Sequence, residues 1–216
     1  MKEISVSELQ DNMFDAIGKE WMLVTAGTQE KFNMMTASWG GTGILWGKPV
    51  AFIFIRPERY TYEFIEEGDK LTLSFLGEEH KEVHKICGSK SGRDMDKVAA
   101  SGLKPYVMED GTISYEQARL VLVCKKLYAD MIQEDKFVDK LLINRWYGEG
   151  HGNLHKMYIL EIQHVYVKFA HKAVFIIRKI RIILPHLQVC PKHLFYLEEC
   201  LKSSVSLPGD WRTVRR

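Results

Sequence analysis

The sequence is poor in cysteine, and its few cysteines are far apart. The four residues, Cys87, Cys124, Cys190 and Cys200, form no Cys-x-x-Cys pair, so they give no recognisable zinc pattern. Isolated thiols are typical of a reducing compartment, and we expect a cytoplasmic protein.

Long apolar runs are also lacking. No uninterrupted apolar stretch reaches the ~20 residues that a membrane helix needs, so we expect no transmembrane segment. Met1 is followed by Lys2, Glu3 and a polar segment, whereas a signal peptide continues with an apolar core. No signal peptide is expected.

The net charge is only +2 and gives no general reason to expect nucleic acid as a partner. The sum conceals a division, because residues 168–216 contain ten Lys or Arg and three Asp or Glu. Residues 1–167 are therefore mildly acidic. The sequence predicts a folded domain over residues 1–167 and a basic C-terminal extension of unknown role over residues 168–216.

Apolar side chains alternate with Arg and Lys over residues 174–184 of the extension. The pattern fits a basic amphipathic helix on an acidic partner or a membrane surface. A helix packed on the main domain, a disordered extension without function and a frame-shifted end are alternatives. We favour the first two of these alternatives.

Short β-rich runs dominate residues 1–167. Five of them have the length and composition of strands: residues 21–25, 50–55, 70–75, 120–124 and 157–167. Residues 70–75 alternate apolar and polar side chains, as a strand with one solvated face does. Many short strands with scattered helices predict a mainly β protein, closed or sandwiched, rather than a regular strand–helix alternation.

Short helices are predicted around these strands. Ser7 and Gln10 have the spacing of a capping box and begin a first helix that ends near Gly18. Three further short helices are predicted, over residues 60–67, 78–87 and 94–102.

Residues 87–97 are rich in glycine, serine and basic residues. Glycines permit a tight turn, serines offer hydroxyl donors, and Lys90, Arg93 and Lys97 carry positive charge. A loop of this kind that leads into a helix suits a phosphate, although the spacing of a Walker loop is absent. A solvated turn between two helices explains this segment equally well.

Two arginines follow the apolar run 50–55. Arg56 and Arg59 leave the strand end three residues apart, where a bidentate grip on a phosphate or carboxylate is feasible. A pair of surface arginines around Pro57 is the alternative.

Residues 33–41 combine small polar side chains with an aromatic one and end in glycines. Such a strand can present amides and hydroxyls to the edge of a planar heterocycle, although taken alone a plain strand and turn is preferred. The run Gly41-Thr42-Gly43 is not a dinucleotide fingerprint, because the third glycine of that motif would fall on Trp46.

His151, His155 and Tyr158 lie close together near the last predicted strand. Two histidines four residues apart share a metal on a helix, but glycines at 148, 150 and 152 interrupt any helix here. A loop that borders a ligand cleft is favoured over a metal site. No Ser-His-Asp order or paired-carboxylate site stands out, which fits a protein whose chemistry belongs to a cofactor.

Taken together and in this order, these segments resemble the flavin reductase-like family of FMN-binding split barrels, particularly its flavoredoxin-type branch. The resemblance covers roughly residues 5–167 and rests on residues 33–43, 46–49, 55–66, 87–97 with Gly102-Leu103, and the pattern His-x-x-Tyr-x-x-Glu-Ile at 155–162. It implies a six-stranded Greek-key split β-barrel, a homodimer, and FMN bound near the subunit interface.

The resemblance also implies a set of FMN-binding residues and no catalytic side chain. The isoalloxazine ring would be lined by Asn33, Met35, Thr36, Ala37, Ser38 and Trp39. The ribityl chain and phosphate would lie near Arg56, Arg59, Tyr60 and Thr61. A solvated loop would complete the phosphate site with Ser89, Lys90, Ser91, Gly92 and Lys97. His155 and Tyr158 would face the flavin or the substrate.

The leading hypothesis is an oxidoreductase in which NADH or NADPH docks transiently on FMN and transfers hydride, and the reduced flavin passes electrons to an unidentified acceptor. An alternative is a non-enzymatic electron carrier of flavoredoxin type that exchanges electrons with redox proteins such as ferredoxin. A third is a binding module for a different phosphorylated heterocycle.

Overall fold

The computed structural model describes residues 1–168. No helix within these residues is long and apolar enough to cross a membrane. The predicted basic extension, apart from Lys168, lies outside the described residues.

Ten strands and a few short helices form the described part of the chain. The strands are β1 (Lys2–Ile4), β2 (Met22–Gly27), β3 (Phe32–Ala37), β4 (Gly40–Leu45), β5 (Lys48–Ile55), β6 (Lys70–Phe75), β7 (Pro105–Val107), β8 (Ile113–Tyr115), β9 (Leu120–Met131) and β10 (Lys156–Val167). The α-helices are α1 (Met13–Asp15), α2 (Tyr60–Glu67), α3 (Lys81–Ser89), α4 (Lys97–Ser101) and α5 (Leu141–Tyr147).

Eight of these strands form one antiparallel sheet. Their order is β3-β2-β6-β9-β10-β5-β4, and β1 pairs with the far end of β10, while β7 and β8 make a separate hairpin. The mainly β architecture with short helices confirms the predicted class. Two strands of the main sheet were not expected, β1 because it has only three residues, and β4 because Gly40, Gly41 and Gly43 give it low strand propensity.

The core has a second layer that the sequence pattern did not reveal. Residues 71–75 of β6 are all buried, so the predicted solvated face of this strand was wrong. The small hairpin covers that face: the Thr72 hydroxyl donates to the Ile113 carbonyl at 2.5 Å, and the Ser74 and Ser114 hydroxyls lie 3.0 Å apart. A polar side chain that has a buried hydrogen-bond partner does not indicate the solvated face of a strand.

The helix over residues 60–67 is confirmed as predicted, with Gly68 as its C-terminal cap. The first predicted helix was wrong in its start and continuity. Ser5 and Glu8 form the capping box, two residues before the predicted pair, and Asn12 then caps α1 by accepting from the Phe14 amide. Because a second cap follows the first so closely, the chain makes two separate turns. The helix predicted over residues 94–102 likewise begins later, as α4 at Lys97, and its N-terminal cap is Asp96.

A buried ion pair fixes the N-terminal segment to the sheet. Glu20 is 6% exposed, and its carboxylate accepts from the Gly77 amide at 2.5 Å and from Arg119 Nε at 3.0 Å. The Arg119 guanidinium also donates to Asp11 at 2.6 Å. One arginine thus holds residues on both sides of α1 against the start of β9.

Replacing Arg119 by Met should therefore lower the free energy of unfolding by about 3–5 kcal/mol, because the buried Glu20 carboxylate loses its cation. Urea unfolding measures the change. Glu82→Gln, which removes one member of the exposed Glu82–Lys85 pair, is the control and should change stability by less than about 1 kcal/mol. Equal effects of the two substitutions would contradict this account of Glu20.

Candidate functional site

Segment 88–97, which joins the end of α3 to the start of α4, packs against the loop after β5. The Arg59 guanidinium donates to the Gly88 carbonyl at 2.6 Å. Burial lowers the pKa of Arg59 from its ordinary value, but an arginine remains charged in proteins. Arg59 therefore brings a positive charge to the point where α3 ends.

Lys97 ties the other end of the segment to β3. Its ammonium donates to the carbonyls of Met34 at 2.9 Å and Cys87 at 3.0 Å. The side chain is 4% exposed, so the expectation of a solvated loop was wrong for this residue. Burial lowers the pKa of Lys97 to about 8, which leaves the group mostly protonated at neutral pH. Two acceptors leave the third N–H of the ammonium for another partner.

Gly92 is a point of close approach between segment 88–97 and β3. A Cβ at this position would lie 2.2 Å from Asn33 Oδ1 and 3.1 Å from the Tyr60 ring. The Asn33 amide in turn donates to the Thr61 hydroxyl at 2.8 Å, and both residues are buried. Asn33, Tyr60, Thr61 and Gly92, which the sequence predicted for one site, therefore lie together.

The hydroxyls and cations of segment 88–97 are more accessible than Lys97. Ser89 and Lys90 are exposed and Ser91 is half-buried. The Ser89 hydroxyl donates to the Lys85 carbonyl at 2.8 Å, and the Ser91 hydroxyl accepts from the Arg93 amide at 3.1 Å. Both are local contacts that a serine can exchange for a ligand by rotating.

Arg93 is a further cation at this site that the predicted residue set left out. Its guanidinium lies 4.6 Å from the centre of the Tyr60 ring and forms an ion pair with Glu63. The sequence signalled its charge but not that it lies on the tyrosine.

β3 borders this segment along an open strand edge. Within residues 1–168, the main sheet ends at β3, which pairs with β2 alone. Met35 and Ala37 are buried, and the Thr36 hydroxyl donates to the His84 carbonyl at 2.7 Å. These side chains are thus largely engaged inside the protein. The backbone of an edge strand, by contrast, has N–H and C=O groups that no second strand pairs; on β3 the Met34 carbonyl is bound by Lys97, and the other groups on this side can meet a ligand.

The end of β3 leads to a cavity of about 640 Å³. Ser38, Trp39 and Phe52 line it, together with residues 11–14 of the N-terminal segment. Trp39 is 36% exposed. The volume falls within the range of small-molecule sites, roughly 300–1,000 Å³.

A second group of predicted residues, Trp39, Arg56 and His155, lies around α5, and Trp146 and Tyr147 complete it. We call these five residues the aromatic cluster. The Trp39 ring centre is 5.0 Å from those of Trp146 and His155. Arg56 Nη2 donates to the Trp146 carbonyl at 3.0 Å, and its guanidinium lies 5.6 Å from the Tyr147 ring centre. Arg56 therefore contacts α5, whereas Arg59 contacts segment 88–97.

His155 is neutral at the centre of the aromatic cluster. Burial and the charge of Arg56 lower its pKa to about 4. Arg56 Nε lies 3.4 Å from His155 Nε2 and is always a donor, so Nε2 accepts and the proton is on Nδ1. Nδ1 then donates to the Tyr147 hydroxyl oxygen at 2.9 Å.

Tyr158 does not line a cleft with His155. Its side chain is 0% exposed, and its hydroxyl donates to Glu66 at 2.8 Å. His155 lies just before β10, whereas Tyr158 lies within that strand and its side chain points into the core. Whether His155 and Tyr158 share a site can be predicted only once the start of the strand is known.

His84 is a second buried neutral histidine, and the sequence did not single it out. It is 1% exposed, its Nδ1 lies 3.3 Å from the Thr36 hydroxyl, and its buried Nε2 has no hydrogen-bond partner among residues 1–168. Burial and the charges of Lys81 and His80 lower its pKa to about 4.

We expect the free energy of unfolding to fall as the pH drops from about 6.5 to 4. In that range the unfolded chain binds protons at positions 84 and 155 and the folded chain does not, so acid favours unfolding by up to about 3 kcal/mol for each histidine. His84→Gln should flatten this dependence, whereas His151→Gln, at an exposed position, should leave it unchanged. Urea unfolding across this pH range measures both. A wild-type slope in His84→Gln would show that His84 titrates normally.

Solved structures with the same fold include flavin-binding proteins. An FMN-binding protein from Thermus thermophilus is 19% identical, with a TM-score of 0.55 over 80% of this chain and 85% of that chain. Flavoredoxin of Desulfovibrio vulgaris (Miyazaki F) is 22% identical, with a TM-score of 0.54 over 76% and 77%. An NADH:FAD oxidoreductase of Streptomyces globisporus, in complex with NAD and FAD fragments, is 13% identical, with a TM-score of 0.50 over 69% and 74%.

These likenesses confirm the predicted fold class. No curated protein sequence matches the chain. The sequence profile of the flavin reductase like domain matches residues 14–183, which is well over half of the 216 residues. The chain therefore belongs to the family of proteins with a flavin reductase like domain.

Proposed function

We propose that this protein is an oxidoreductase that binds FMN along β3 and segment 88–97, accepts hydride from NADH or NADPH, and passes the electrons to a further acceptor. The observation that carries the proposal is the open edge of β3 beside two cations, Arg59 and Lys97. A flavin mononucleotide needs both features, because its ring presents a flat hydrogen-bonding edge and its phosphate is a dianion.

The residues of segment 88–97 fit the phosphate. Arg59 and the free N–H of Lys97 supply positive charge, and the hydroxyls of Ser89 and Ser91 supply donors at exposed or half-buried positions. Gly92 lets the backbone approach β3 where any side chain would collide. Several oriented donors and cations within two adjoining segments are what a phosphate requires.

The ring side of the site is proposed at Thr36, Ser38 and Trp39, next to the cavity. When bound, FMN supplies the hydride and electron chemistry, and the chain supplies binding and orientation. His155 donates its only N–H proton to Tyr147 and is neutral, so we assign it a role in holding Arg56 rather than in moving a proton. No side chain of this site is proposed as an essential acid or base.

A flavoredoxin-type electron carrier is the second candidate. The structural likeness to a solved flavoredoxin favours it, and the site requirements are the same because FMN is bound in either case. The two differ in the donor: the carrier is reduced rapidly by a redox protein and slowly or not at all by a nicotinamide.

We further propose a homodimer in the cytoplasm. Ile44 and Trp46 at the β4–β5 turn are 75% and 61% exposed, and a second copy would cover such apolar side chains. Sedimentation equilibrium tests the dimer. Within residues 1–168, Cys87 and Cys124 are buried and form no disulfide, as is usual in a reducing compartment.

The purified protein should bind FMN, and NADH or NADPH should bleach the absorbance of the bound flavin under anaerobic conditions, because hydride reduces the ring. Free FMN with the same donor, without protein, is the control. Flavin that stays oxidised with both donors but is bleached by reduced ferredoxin would replace the reductase with the carrier. A protein that retains no FMN would rule out both.

Ser89→Ala combined with Ser91→Ala should raise the Kd for FMN at least about tenfold, because hydrogen bonds to a charged group contribute about 1.5–3 kcal/mol each. The free energy of unfolding of this double variant should not change, since both hydroxyls are accessible. Ser7→Ala, at an exposed serine far along the chain from this segment, is the matched control. Quenching of flavin fluorescence measures the Kd.

Lys97→Met tests how much the buried ammonium in the same loop stabilises the fold. Removing the ammonium leaves the Met34 and Cys87 carbonyls without their donor in a buried position, so unfolding should become easier by about 1–3 kcal/mol. Normal FMN affinity in the double serine variant would contradict the proposed phosphate site, whatever Lys97→Met does.

A further inference from the structure

Helix α5 has no core of its own. None of its residues is buried, and Leu141 is 75% exposed. Its inner contacts with the strand ends are made by Trp146, which meets Trp39, and by Tyr147, which meets His155. A segment with so few buried apolar contacts is held in place by those contacts that it does make.

The hydrogen bonds and the ring contact of Arg56 within residues 1–168 lead to this helix. Its Nη2 donates to the Trp146 carbonyl, its guanidinium lies over the Tyr147 ring, and its Nε donates to the histidine that Tyr147 binds. A guanidinium has five N–H donors. Two of them donate to acceptors within these residues, which leaves three for a ligand.

The proton positions make the hydrogen-bonded chain directional. Arg56 donates to His155 Nε2, and His155 Nδ1 donates to the Tyr147 oxygen. The other tautomer would set an Nε2–H against the Arg56 N–H, and a flip of the imidazole would set a ring C–H there, so neither could accept from Arg56. Tyr147 therefore stabilises the one ring orientation that accepts from Arg56.

Glu58, on the loop after β5, is a charged group close to Arg56. Its carboxylate accepts from the Asn153 amide at 3.1 Å and from the Asn153 side chain at 3.3 Å. A Cβ at Gly152 would lie close to Glu58 Oε1 and 2.7 Å from Arg56 Nη1, so the glycine lets the chain pass directly over both side chains. The Glu58 carboxylate is thus bound by Asn153 and attracts the Arg56 guanidinium, whose hydrogen bonds go to Trp146 and His155.

We propose that Tyr147 is a positioning residue, which acts through His155 to hold the Arg56 guanidinium ready for the anionic group of the bound ligand. The inference rests on the proposed function in that the anion is the FMN phosphate, which Arg56 shares with Arg59. The two guanidiniums lie close enough for the charge of Arg56 to add to burial in lowering the pKa of Arg59. It adds to that function a residue on α5 that no sequence pattern predicted, and it makes the docking of this helix part of ligand binding.

Tyr147→Phe tests the proposal, because it removes the hydroxyl and keeps the ring that stacks with Arg56. Tyr106→Phe, at a half-exposed tyrosine on β7, is the matched control. The first readout is ¹⁵N NMR of the histidine-labelled, FMN-free full chain, with the His155 signals assigned by their loss in His155→Gln. Wild type and control should show a protonated Nδ1 and an unprotonated Nε2. The Tyr147 variant should keep the proton on Nδ1, because Arg56 still donates to Nε2, but both ¹⁵N signals should shift, since Nδ1 loses its acceptor and the ring is no longer held against Arg56.

The second readout is the Kd for FMN in a double-mutant cycle. Tyr147→Phe alone should raise the Kd by about three- to tenfold, which corresponds to one hydrogen bond. Arg56→Met should raise it further, and adding Tyr147→Phe to Arg56→Met should cause no additional loss, because the tyrosine acts through the arginine.

The outcomes that would contradict the positioning role differ from those that would contradict the proposed function. An unchanged His155 pattern in Tyr147→Phe overturns the positioning role, and so do additive losses in the cycle. If the wild-type protein binds no FMN, the proposed function fails, and the NMR pattern alone then decides whether Tyr147 orients His155.

Discussion

The interaction on which the candidate site depends is the buried ammonium of Lys97. It joins the carbonyl of Met34 on β3 to that of Cys87 on α3, two elements that are distant in sequence. A charge in this position is desolvated, which lowers the pKa of Lys97 to about 8, and it persists only because carbonyl dipoles surround it. Together with the Arg59 hydrogen bond to Gly88 and the close approach of Gly92 to Asn33, this contact holds segment 88–97 beside β3.

The site has two halves with different physical characters. Segment 88–97 offers accessible donors and charges on a short backbone loop, and its geometry is set by Gly92 and Lys97. The aromatic cluster is held by ring contacts and by one neutral histidine. Arg56 and Arg59 leave the same strand end but are held by different halves, because one donates to α5 and the other to the end of α3.

The sequence predicted those parts of the protein that local rules decide. The helix Tyr60–Glu67 and its stop at Gly68 follow from propensity and capping, and five strands from β-rich composition. Burial that depends on partners distant in sequence could not be predicted. Lys97 reads as a loop cation, and only the fold places two carbonyls around it. Ser74 reads as a solvated residue until Ser114 covers it.

The same limit applies to the candidate site. Asn33, Thr61 and Gly92, which the family resemblance assigns to one ligand, lie next to each other. The Tyr158 side chain, by contrast, is buried in the core beneath β10. Tyr147 was missed because an aromatic residue before a glycine-rich loop carries no signal of its own. Its contact with His155 arises from the path of the loop between α5 and β10.

The edge position of β3 has a consequence for how the protein behaves in solution. An unpaired row of N–H and C=O groups accepts a strand of another chain as readily as it accepts a heterocycle. Most of this edge is covered from within the chain, because Asn33, Met34, Met35 and Ala37 are buried and the Met34 carbonyl accepts from Lys97. The contacts that hold segment 88–97 beside β3 therefore also protect the strand from pairing with a second chain.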